Sequence, residues 1–300
     1  NIWGNLDQDT YRRDFTVNAL YYCPISKKII GHKDGIKDIN QKKIVSIGDP
    51  QHRFSEDPVR SLRAIRFSNK LNFKIDKKIK EAIYEKGHLL SNISNARIFD
   101  EFCKIFLNGM AEKNFNKLKS FGLNKFLINT EQKENKFSHN VIFEALRNTD
   151  RRSKNNQSVT PGFLMAALLW PNLINRSLTK GEINLRKFFR SMDPVLRNQQ
   201  KITAIPRKFH SYIKDIWILQ LKLHSRIGKQ PYKTLKHPRF RAAYDLMLIR
   251  EKCSCETKNL GKWWTDFQKN DDKLKKLLIS SLKEKDCLLY TSPSPRDQLQ

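Results

Sequence analysis

The chain has 300 residues, 39% hydrophobic and 10% aromatic, which is enough to bury a core and excludes a disordered or fibrous polymer. Lys and Arg number 58 against 30 Asp and Glu, and the net charge of +28 favours nucleic acid as a partner, although an Asn- and Ile-rich composition is a second origin for part of the lysine. The longest apolar run, Phe163 to Trp170 between Pro161 and Pro171, is too short to cross a bilayer, and the five cysteines form no CxxC pair, so neither a membrane span nor a zinc or disulfide framework is indicated and the cytoplasm is expected.

Taken in chain order, the text opens at Asn1 without Met, inside what reads as a strand and turn to Asn5, so upstream sequence is expected. Residues 12–48 alternate β-prone runs (Phe15 to Tyr22, Lys28 to Ile30, Lys43 to Ile47) with Gly and Asp turns, as the last strands of a mixed α/β domain would. After Asp49-Pro50 the periodicity becomes helical: Val59, Leu62, Ile65; then Ile98, Phe102, Ile105; then Ile213, Ile216, Trp217. Breaks are predicted at Thr130 to Lys136, Arg151 to Ser158 and Lys229 to Pro231. Cys287 to Gln300, with its Ser-Pro-Ser-Pro stretch, reads as a non-native tail. The predicted fold is α+β and mostly α.

Two constellations carry chemistry. In a strand, Arg12, Asp14 and Thr16 would share one face and Arg13, Phe15 and Val17 the other. Such a mixture suits a nucleotide, with cations for phosphate, Asp14 for metal or ribose and Asn18 for a sugar hydroxyl; a surface strand with an incidental salt bridge fits as well. The second begins at Glu56-Asp57-Pro58, where Asp57 is a suitable helix N-cap and Pro58 a suitable first helical residue. Arg60, Arg63 and Arg66 then recur every three residues along one helix face, and stacked cations call for anions such as a triphosphate or an RNA backbone. Asp57 and Arg60 together can present an acceptor and donors to the edge of a base.

These constellations, in this order, resemble the RRDxxxN and EDxxR motifs of the class II nucleotidyltransferases, which comprise bacterial poly(A) polymerases and CCA-adding enzymes. Asp34-Gly35-Ile36-Lys37-Asp38-Ile39 resembles the connecting motif, with departures at Gly31 and Asp34. Downstream, Ser94 to Glu101, Ala204 to Leu221, His237 to Asp245 and Lys262-Trp263-Trp264 resemble the bacterial poly(A) polymerase I branch, over residues 1–270. The resemblance implies the C-terminal part of a nucleotidyltransferase head at 1–50, a neck at 51–130 that reads the base and binds RNA, and a helical body and basic RNA-binding region at 131–286, before the tail at 287–300. It implies template-independent addition of AMP from ATP to RNA 3′ ends with two Mg²⁺ ions, by a monomer. Asp14 would be a catalytic and metal-binding acid; Arg13, Asn18, Asp57, Arg60 and Arg63 would contact the nucleotide; Arg66, Arg97, Arg239 and Arg241 would contact RNA. The family's DxD acids fall outside this sequence, and the chain as given is expected to transfer no AMP.

Trp217, Trp263 and Trp264 could stack bases, but aromatics at helical spacing are more often core, and His139, without an acid or Cys partner, reads as structural. Two alternatives stand beside the polymerase: a CCA-adding enzyme, and a non-catalytic basic helical RNA-binding protein.

Overall fold

The computed structural model describes residues 5–32, 34–129, 136–253 and 259–282. The expectations for 1–4, for most of the break at 130–136 and for the tail at 287–300 therefore lie outside the described residues. The chain divides into two compact units, one of residues 1–128 with 201–204, the other of residues 129–200 with 205–300.

The first unit opens with α1 (Leu6–Arg12), closed by reciprocal bonds in which Gln8 N donates to Asn5 Oδ1 (2.9 Å) and Asn5 N to Gln8 Oε1 (3.1 Å). Asp7 and Asp9 thus belong to a helix. The strand predicted from Phe15 does not form. Phe15 makes a single bridge to Ser46, and its N–H donates to Asn18 Oδ1 (3.0 Å), closing a 3₁₀ turn at Thr16–Asn18. Asp14, Phe15 and Thr16 are all buried, so the expected two-faced alternation is absent. The strand starts later, as β1 (Leu20–Cys23) paired antiparallel with β2 (Lys28–Gly31).

α2 (Gly35–Asn40) follows and closes tightly on that turn: a Cβ on Gly35 would meet Thr16 O at 3.0 Å, and Thr16 Oγ1 donates to Asp38 at 2.7 Å. β3 (Lys43–Ile44) runs parallel to β4 (Lys74–Ile75), with α3 (Pro50–Glu56) and α4 (Val59–Leu71) between them. Val59, Leu62 and Ile65 are buried, as their spacing predicts, and α4 packs on α6 (Asn95–Phe106) and α7 (Ala111–Ser120) after α5 (Lys77–Lys86). The strap 201–204 completes this unit: Thr203, fully buried, donates through Oγ1 to Leu127 O (2.9 Å), and Ala204 N donates to Asn95 O (2.9 Å).

The second unit contains α8 (Lys136–Lys154), α9 (Pro161–Ser177), a two-residue hairpin of β5 (Leu178–Thr179) and β6 (Glu182–Ile183), α10 (Leu185–Gln200), α11 (Lys208–Lys222), α12 (Gln230–Leu235), α13 (Phe240–Cys253), α14 (Leu260–Lys269) and α15 (Asp272–Ser280). α9 is its central helix: residues 162–171 are buried on every side and α8, α10 and α11 pack around them. The helix continues through Pro171, where the sequence marks only the end of an apolar run. Trp217 Nε1 donates to Ala166 O (2.9 Å) and Trp264 Nε1 to Leu223 O (2.9 Å), which places both indoles in the core.

Near that core, burial together with Arg250 and Arg226 pushes the His224 imidazole from its ordinary 6.5 down to about 4. The folded protein keeps it neutral while the unfolded chain protonates it, so its contribution is present above pH 6.5 and lost as pH falls toward 4. The loss is on the order of 3 kcal/mol. Urea titrations of the wild type and His224→Gln at pH 7 and pH 4.5 check this: the variant is expected to lose less stability on acidification, and equal losses would contradict it.

Candidate functional site

In the first unit the two sequence constellations meet through one buried carboxylate. Asp14 Oδ1 lies 3.1 Å from Arg60 Nε and Oδ2 lies 2.5 Å from Arg63 Nε, with the Asp14 and Arg60 side chains each 10% exposed. Arg60 also donates through Nη1 to Arg53 O (2.7 Å) and Glu56 Oε2 (3.4 Å). Farther along α4, Arg66 lies 3.9 Å from Glu101 and over the Phe67 ring. The arginine stripe is therefore answered by the protein's own carboxylates, and Arg60 is buried rather than set out on an open face.

The strand-like setting expected for the first motif is replaced by a clamp. Arg53 Nη2 donates to three successive carbonyls, Tyr11 O (3.1 Å), Arg12 O (3.4 Å) and Arg13 O (2.9 Å), and Ile47 N donates to Asp14 O (3.2 Å). Arg53 was missed in the sequence because it stands outside both motifs, on α3 and not on the arginine-bearing α4. Arg13 is more open, pairing with Asp9 (2.7 Å). Hydrogen bonds from the Tyr21 hydroxyl and from Arg13 hold the Asp9 carboxyl below its usual range. Asn18 Oδ1 is committed to Phe15 N, so a contact with nucleotide falls to its Nδ2.

Asp57 and Arg60 do not pair through their side chains. Asp57 Oδ2 binds Arg97 Nη2 (2.6 Å) and its Oδ1 accepts from Val59 N (3.2 Å), while Arg60 turns to Asp14. The helix start is also displaced: Asp57 is extended and Pro58 is the N-cap, with α4 beginning at Val59. Both side chains still stand at the N-terminal end of α4, each fixed by a separate partner.

A divalent cation does not fit these residues alone. No three His, Cys, Asp or Glu side chains converge among the described residues, and the Asp14 carboxylate is already held between two guanidiniums.

Each unit also carries a cationic surface. In the first unit a cavity of about 850 Å³ is lined by Lys42, Lys43, Lys74, Lys77, Lys80 and Lys117, with Asp76 as its one acid. Burial, with Lys80 adding to it, pushes the Lys117 ammonium down. This groove was also missed, although Lys74, Lys77 and Lys80 recur every three residues. In the second unit Arg239 lies over the Tyr212 ring, 4.7 Å from its centroid, and Arg241 pairs with Asp245 (3.2 Å).

Three family models match the chain: "Poly A polymerase head domain" over residues 2–45, "Probable RNA and SrmB- binding site of polymerase A" over 72–132 and "Polymerase A arginine-rich C-terminus" over 180–296. The chain is 38% identical to poly(A) polymerase I of Haemophilus influenzae over 93% of its own length and 64% of that protein's. A CCA-adding enzyme of Lactococcus lactis is 43% identical, over 34% of this chain and 25% of that enzyme. Among solved structures, a tRNA-processing enzyme in apo form I superposes with a TM-score of 0.65 at 18% identity, covering 92% of this chain and 73% of that one. This likeness carries the α+β, mostly helical fold. The chain spans about 64% of the length of the poly(A) polymerases it matches.

Proposed function

Since the chain belongs to the poly(A) polymerase I-like nucleotidyltransferases, we propose that the protein adds AMP units from ATP to RNA 3′ ends without a template. The observation that carries this is the reach of the sequence likeness: it extends to poly(A) polymerases over 93–99% of the chain and to CCA-adding enzymes over 34–41%.

Phosphoryl transfer is achieved largely by positioning and by charges fixed in advance. Here Asp14 holds Arg60 and Arg63 in place, and the connected group of Asp14 and Glu56 with Arg53, Arg60 and Arg63 retains one positive charge for an incoming anion. Arg63, 30% exposed, and the open Arg13 are the groups placed to meet the triphosphate, with Asn18 Nδ2 for the sugar. Asp57 and Arg60, at the start of α4, meet the base edge only by exchanging present partners, Arg97 for Asp57 and Glu56 for Arg60. Asp14 acts first as a positioning residue, because both its oxygens face arginine. Asp14 would hold Mg²⁺ only together with further acids, and the ion would supply neutralisation of the phosphate charge. In the first unit the lysine groove, Arg66 and Arg97 take RNA, and in the second unit, as a separate contact, Arg239 and Arg241 do. No described helix is long and apolar enough to cross a membrane; a cytoplasmic monomer is consistent with this activity.

The test is the product. The whole protein incubated with RNA, Mg²⁺ and all four nucleotides is expected to leave tails of A alone. Tails ending in a single CCA would move the protein to the other branch, and RNA binding without any extension would make it a binding protein.

A further inference from the structure

In the second unit, a compact cavity of about 170 Å³ is lined by Arg152, Thr160, Tyr212, Arg239, Arg241 and Asp245, among others. It carries three guanidiniums and one carboxylate. Asp245 Oδ2 lies 3.2 Å from Arg152 Nη1 and Oδ1 lies 3.2 Å from Arg241 Nη2, while no carboxylate pairs with Arg239 among the described residues. We infer that this cavity is a subsite for one nucleotide of single-stranded RNA, whose phosphate is taken by Arg239 and Arg241 and displaces Asp245 from Arg241. The inference rests on RNA being the polymer handled.

The partners differ in how firmly they are held. Arg152, 24% exposed, is anchored by two bonds to Ser158 O (both 3.2 Å) as well as by Asp245, so it forms the fixed floor. Arg241 is 69% exposed and its bond to Asp245 joins neighbouring turns of α13, a kind of pair that contributes little. Exchanging that carboxylate for a phosphate therefore costs little. Asp245 is also poorly solvated: burial raises its carboxyl even though Arg241 and Arg152 pull it down. The Arg239 guanidinium, with one face on Tyr212, has a second face on which any base can stack. Charge and a planar platform in a compact cavity that receives the phosphate fit single-stranded RNA better than a peptide helix or a lipid surface, which need an extended apolar groove.

Binding of a short fluorescein-labelled oligoadenylate, followed by anisotropy at several KCl concentrations, tests this. The double variant Arg239→Gln, Arg241→Gln is expected to bind about tenfold more weakly at low salt, the size of one charge-assisted hydrogen bond. Its log–log salt slope should fall by about 0.7, one phosphate on a single strand. Asp245→Asn, which removes the competitor, should bind more tightly. Both arginines are exposed, so the double variant should melt like the wild type. Unchanged affinity and slope in the double variant, or weaker binding by Asp245→Asn, would overturn the subsite. So would loss of AMP or inorganic phosphate binding with oligoadenylate unaffected, because the cavity would then serve free nucleotides. A-only tails with unchanged affinity in the double variant would remove the subsite and leave the activity. The predicted loss of affinity and slope without any AMP transfer by the whole protein would do the reverse.

Discussion

Asp14→Ala is expected to lower the stability of the first unit by about 3–5 kcal/mol, because it leaves two arginines facing each other in a buried site with no anion between them. The carboxylate spans the two guanidiniums through both oxygens, and Arg60 is nearly as buried as Asp14 itself. Converting Arg60 to Met in the Asp14→Ala background should recover part of the loss, since an apolar replacement of a buried pair is far less harmful than half a pair. Urea denaturation in metal-free buffer measures it. A carboxylate kept only to hold cations would cost little stability when removed, so a change within about 0.5 kcal/mol would refute the positioning role.

The second large effect lies at the far end of the chain. Trp264 is fully buried, its ring centroid 5.2 Å from Phe240, 5.0 Å from Trp263 and 5.6 Å from Phe267, and its N–H is spent on Leu223 O. Trp264→Ala should destabilise the second unit by about 3–5 kcal/mol through the cavity it opens. If the indole stacked on bases instead, the variant would fold normally and lose about 1–3 kcal/mol of RNA affinity. Denaturation followed by far-UV circular dichroism, beside an RNA titration, separates the two outcomes.

What the sequence disclosed depended on how local the determining contact was. The helices after residue 56 follow from spacing alone, since Val59, Leu62 and Ile65 need only a neighbouring surface to bury against. The early strand failed because one side chain overrode propensity: Asn18 takes the Phe15 N–H and curls the backbone before it can pair. The motifs located Asp14 and Arg60 separately, but no periodicity joins residues 46 apart, and so the arginine stripe read as awaiting outside anions when its anions were internal. Arg53 was invisible for a related reason, because its work is on backbone carbonyls, which have no sequence identity. The lysine groove was hidden by abundance: in a chain this basic, six lysines gathered from β3 and the turn before it, β4, α5 and α7 do not stand out until the fold collects them.

The strap at residues 201–204 bears on how the protein could be taken apart. The first unit borrows four residues from far downstream, so the chain leaves it after residue 128, returns, and leaves again. A single protease nick or a truncation near residue 129 would not yield an autonomous amino-terminal half. The fragment would keep the carbonyls of Leu127 and Asn95 but lose the hydroxyl and amide that satisfy them, together with the side chain of Thr203 that fills its place. Two polypeptides supplied together, split between residues 129 and 200, could instead reassemble, because the missing piece would arrive on the second fragment and complementation would depend on that short segment docking.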